Sequence, residues 1–140
     1  METFSNLGEA MTAGAAHAVV LAAEQSITLD YSIESLREVE RQLDQLHRQL
    51  PAAKPSEAQL HMMAMTFGAY IAEVIRRNFG GHWSEDCEFQ PGVKFPTFHL
   101  PNCTVEIWPQ VKVRKRLENG AEDNVWHYAQ AFIQKIEGTR

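Results

Sequence analysis

Apolar positions recur at helical spacing through the middle of the chain. Between residues 55 and 81, Leu60, Ala64, Phe67, Ile71, Val74 and Ile75 fall on one stripe of a 3.6-residue period, and Met63 and Tyr70 widen it. A stripe that broad predicts a central helix buried on more than one side. Its ends are marked too. Ser56 with Gln59 three residues later makes a capping box, Arg76 and Arg77 place positive charge where the helix dipole is negative, and Gly80-Gly81 supplies a left-handed stop. Upstream, Leu36, Val39, Leu43, Leu46 and Leu50 alternate three- and four-residue steps over 33–50, with Arg37, Glu40, Arg41, Asp44 and Arg48 on the other face. Ser32 is placed to cap this helix and Tyr31 to staple onto Leu36. The pattern predicts one wall of an intramolecular core, followed by a short linker over 51–55. The leader, 1–28, is alanine-rich. Leu7, Met11, Ala15, Ala18 or Val19 and Ala22 share a helical face over 7–24, yet alanines bury little area each. The leader therefore either packs as a helix or orders only against a partner or a second copy of the chain.

Beyond Gly81 the period drops from 3.6 to 2. His82-Trp83-Ser84-Glu85-Asp86, Phe95-Pro96-Thr97-Phe98-His99-Leu100 and Thr104-Val105-Glu106-Ile107-Trp108 read as three short strands, with turns at Pro91-Gly92 and Pro101-Asn102. They predict an antiparallel meander with one face on the helices and one toward water. Segment 110–118 admits a strand, from alternating Val111 and Val113, or a helix opened by Pro109 and closed by Asn119-Gly120; we read the helix. A last helix over about 122–136 carries Val125, Tyr128, Ala129, Phe132 and Ile136 on one face, is capped near Asp123 or Asn124 and ends at Gly138. The expected fold is α+β: two amphipathic helices, a three-stranded antiparallel meander and a C-terminal helix, with an added Ala-rich N-terminal helix, all in one domain over 1–140.

Composition changes this picture little. At 140 residues and 44% hydrophobic content the chain can bury one sizeable core. A formal net charge of −5 argues against a general nucleic-acid binder, which needs a basic face. The small apolar run over 13–23 is too short to span a bilayer and follows Glu2 and Glu9 rather than basic residues, so neither a membrane span nor a targeting signal is expected. Two cysteines, Cys87 and Cys103, make no disulfide framework and fit a reducing, cytoplasmic setting.

Several motifs occur in a characteristic order: Leu29-Asp30-Tyr31-Ser32, Glu34-Ser35-Leu36, Gly68-Ala69-Tyr70-Ile71, Glu73-Val74-Ile75-Arg76-Arg77, Gly80-Gly81-His82-Trp83 and Lys115-Arg116-Leu117-Glu118-Asn119-Gly120. With them the chain resembles a group of small bacterial domains of unknown function over most residues after Leu29. The resemblance implies a bacterial source and a compact α+β domain. It carries over no active site.

The sharpest chemical constellation is His82, Cys87, His99 and Cys103, four nitrogen and sulfur donors near the extended segment. Their H-x4-C and H-x3-C spacings are not those of ordinary zinc sites, and no C-x-x-C is present, so no metal and no cofactor are expected. Cysteine–histidine nucleophilic pairs can be drawn from the same residues, and the acidic run Glu85, Asp86 and Glu88 could do acid–base work. A plain thiol and a solvated loop are the commoner outcomes, so no catalytic residue is assigned. Asn102-Cys103-Thr104 matches a glycosylation acceptor but lacks a secretory context. The basic cluster Lys112, Arg114, Lys115 and Arg116 is followed by Glu118, Glu122 and Asp123 and should be neutralised within the domain. Trp83, Trp108 and Trp126 read as core. The expected function is a non-catalytic protein-interaction module of immunity or adaptor type, with a protein partner or self-association. The competing expectation is a small enzyme or ligand-binding domain whose pocket, between the central helix and the sheet, is lined by Tyr70, His82, Trp83 and His99.

Overall fold

The computed structural model describes residues 6–85 and 87–138. Helix α1, Leu7–Glu24, starts where the Asn6 side-chain oxygen accepts the Glu9 amide at 2.9 Å. Its buried residues are Met11, Ala15, Ala18 and Ala22, the stripe read from the sequence. Small side chains let α1 lie close along α3, Glu57–Asn78: a Cβ added at Gly14 would stand 3.3 Å from that of Ala69. The capping box of α3 is complete, with the Gln59 amide donating to Ser56 Oγ at 3.1 Å and the Ser56 amide to Gln59 Oε1 at 2.8 Å. Every residue over 66–75 is buried, so this middle stretch of α3 is enclosed on all sides.

Helix α2, Ser35–Ala53, departs from the sequence reading at both ends. It starts late because Ser32 caps a preceding turn: its hydroxyl accepts the Ser35 amide at 3.1 Å, while Asp30 Oδ1 accepts both the Ser32 amide and hydroxyl. It also runs through Pro51 to a left-handed Lys54 (φ 46°), so the expected 51–55 linker is largely helix. So near the end a proline costs a single backbone bond, and Ala52 and Ala53 favour helix.

The sheet joins β1, His82–Ser84, β4, Thr97–His99, and β5, Glu106–Ile107, as an antiparallel array in the order β1-β4-β5. Register pairs His82 with His99, Trp83 with Phe98, Phe98 with Ile107 and His99 with Glu106. Alternation therefore puts Trp83, Phe98 and Ile107 on one face and His82, His99 and Glu106 on the other. The Pro91-Gly92 turn does not link two strands of this sheet. It closes a separate hairpin of β2, Glu88–Gln90, and β3, Val93–Lys94, which apolar alternation did not signal. Asp86, placed in the first predicted strand, lies outside the described residues.

The 110–118 segment is helical: α4, Pro109–Asn119, has its proline in the first turn. It crosses α3 so closely at Gly68 that an added Cβ would stand 2.5 Å from the Gln110 Cα. After a 3₁₀ turn, Ala121–Asp123, helix α5, Val125–Gly138, is capped by Asn124, whose side chain accepts the His127 amide at 3.0 Å. Its buried residues are Val125, Ala129, Ile133 and Ile136; Phe132, expected on that face, is half-buried and packs edge to face with Tyr128. Helix α2 packs on α4 and α5. At that junction Arg116, 1% exposed, donates to both carboxylate oxygens of Glu40 and to Asp44, and Glu40 also accepts the Val125 amide. Among the described residues no helix is long and apolar enough to cross a membrane.

Candidate functional site

Of the four residues expected around one pocket, Tyr70 stands apart in the core, His82 and Trp83 line a trench beside the sheet, and His99 lies on the outer face where His82 stacks on it. Tyr70 is fully buried. Its hydroxyl accepts the Tyr31 amide at 2.9 Å and lies 2.6 Å from Ser35 Oγ. Burial raises its phenol pKa above the ordinary value, outweighing those hydrogen bonds. Tyr31, at positive φ, stacks near Tyr70 and under the Arg77 guanidinium. Tyr70 thus fastens the α1–α2 loop onto α3.

His82 and Trp83 line a different space, an open trench of about 1120 Å³. One wall is the start of α1, including Gly8, Thr12, Ala13 and Ala16; the other is residues 81–85 of the β1 segment; α3 contributes Arg76. The trench thus lies between the leader helix and the sheet, and only its end meets the central helix. Gly81 makes this corner: its φ is +109°, and a Cβ there would come within 2.6 Å of the Phe98 ring. Arg76 is held by Glu73, a 3% exposed carboxylate that Arg76 and Arg77 both bind. That bond raises the Arg76 pKa. Glu73 is pulled by burial upward and by the two arginines downward, and the arginines prevail.

His99 lies on the outer face of the sheet. His82 stacks on it with ring centroids 4.8 Å apart and planes 14° from parallel. Cys87 Sγ is 3.5 Å from His99 Nε2, and Glu106 Oε1 is 3.9 Å from His99 Nδ1. Cys103 does not join them; the donor set that converges is Cys87, His99 and Glu106. The sequence places Glu106 on a strand but does not mark it as a donor, because only the β4–β5 register brings it opposite His99 and spacing does not encode register. The α1 wall did carry a signal, since Gly8, Thr12 and Ala16 recur every fourth residue as a small-residue face.

Lys112, Arg114 and Arg116 of the basic cluster are paired with carboxylates within the fold. Lys112 pairs with Asp123 at 3.0 Å and Arg114 with Glu118 and Glu57, while Arg116 takes the more distant Glu40 and Asp44. Of the tryptophans, Trp83 meets Phe98 edge-on, Trp108 donates to Thr97 Oγ1 at 2.8 Å and Trp126 lies under Arg37. No protein-family model, no curated protein and no solved structure matches this chain.

Proposed function

We propose that the chain is a bacterial protein-interaction module, of adaptor or immunity type, that takes an extended segment of a partner protein into the trench beside β1. One observation carries the reading. All three residues of β1, His82–Ser84, line the trench together with the flanking Gly81 and Glu85, although neighbouring side chains on a strand point to opposite faces. The space must therefore face the edge of β1, and β1 is the end strand of the β1-β4-β5 array. A strand edge offers backbone donors and acceptors along a line, and an extended peptide complements it by strand addition. The α1 wall spans about 15 Å at 1.5 Å per helical residue, and the three residues of β1 span about 10 Å at 3.3 Å per strand residue. That is room for about three extended residues along the strand edge. A trench this open, with a volume above the ~300–1,000 Å³ usual for small ligands, serves the competing small-molecule reading less well.

Ala16→Arg tests the proposal, because Ala16 is an exposed helix position on the wall and a surface change there should alter stability by no more than about 0.5 kcal/mol. Peptides selected on the wild-type chain from a random library should lose about tenfold or more in affinity for this variant, equivalent to ~1.4 kcal/mol. Selection yielding no binder, or binders indifferent to Ala16→Arg, would contradict the assignment.

A further inference from the structure

We infer that Cys87, His99 and Glu106 form a binding site for a zinc-class divalent cation on the outer face of the sheet, separate from the trench reading. The three donors are a thiol, an imidazole and a carboxylate, and one ligand atom from each lies within 4.8 Å of the others. Zinc accepts all three types at about 2.0–2.3 Å, so tetrahedral geometry sets donor-to-donor separations of roughly 3.3–3.8 Å. The Cys87 Sγ to His99 Nε2 distance, 3.5 Å, already falls in that range. Without metal the same pair is a thiol–imidazole hydrogen bond, and the ion takes the place of its proton. Glu106 Oε1 lies 3.9 Å from His99 Nδ1, the ring nitrogen away from Cys87, so Glu106 is the donor that must swing to close the site, and with its side chain 40% exposed it has the freedom to do so.

The backbone holds the three in place. His99 and Glu106 are register partners across β4 and β5, and the Phe95 amide donates to the Cys87 carbonyl at 3.1 Å, pinning the loop that carries the thiol. The His82 ring, stacked flat on His99, limits rotation of the imidazole. Three protein ligands leave a fourth position for solvent, the open arrangement of zinc sites that do more than brace a fold. Cys103, also a half-buried free thiol, provides an internal control.

Cobalt(II) titration of the full, untagged chain after chelator treatment tests the site. The expected result is one cobalt per chain, with a sulfur-to-cobalt charge-transfer band and the strong visible absorption of a four-coordinate ion, both bleached by stoichiometric zinc. Cys87→Ser should abolish the charge-transfer band, Cys103→Ser should leave it, and Glu106→Gln should weaken affinity by about tenfold or more. Glu106 is exposed, so that variant stays informative even if Cys87→Ser unfolds. Absence of a charge-transfer band in the wild type, a band that depends on Cys103, or an affinity unchanged in Glu106→Gln overturns the proposal.

Discussion

Position 68 admits nothing larger than hydrogen where α3 and α4 cross. An alanine there would meet the backbone of Gln110, which cannot swing aside as a side-chain tip could. Gly68→Ala raises helix propensity by about 1 kcal/mol, so propensity alone favours the variant. Overpacking should win, with a net loss of roughly 1–3 kcal/mol or more in urea unfolding; an unchanged or higher midpoint would show that the crossing relaxes. The sequence holds half of this information. A glycine inside a strongly helical run hints at a close approach, but its partner Gln110 is distant in the chain and spacing does not name it. Arg116 shows the same limit. Charge balance within the cluster was legible from nearby Glu118 and Asp123, whereas the partners Arg116 takes, Glu40 and Asp44, are chosen by how α2 packs on α4.

At the scale of elements, local signals transferred well wherever the physics is local. Caps and stops are made within a few residues, so α3 and the start of α1 match the sequence reading, while the hairpin of β2 and β3 went unread because the described side chains of both strands are exposed and lack apolar alternation. Helix α5 shows how a face shifts by one residue when its neighbour sets the packing: Ile133 enters the core and Tyr128 stays at the margin with Phe132. Burial raises the Tyr128 phenol pKa well above its ordinary value, as it does for Tyr70. A phenol whose folded pKa lies above its unfolded value, about 10, contributes stability that is complete below that pH. This contribution is lost as pH rises toward the folded value, because the unfolded chain releases its proton first. Tyr128→Phe removes one such group and should move the alkaline unfolding midpoint to higher pH with little change at neutrality. An alkaline midpoint identical to wild type would mean that Tyr128 ionises without unfolding.

For the whole molecule, the α+β class followed from the order of periodicities along the chain, because a 3.6-residue period that gives way to a 2-residue period needs both kinds of layer. The proposed binding surface did not follow in the same way. The trench exists because an alanine-rich helix, whose small side chains fill little space, runs beside the end strand of the sheet. Neither element is a site alone, and their adjacency is a product of topology. The most direct measurement is residue-resolved amide hydrogen exchange on the chain, free and saturated with its tightest selected peptide. Strand addition should slow exchange within residues 81–85 while the β5 and α5 amides exchange as in the free chain. Tight peptide binding that leaves the 81–85 amides exchanging at their free rates would contradict the account.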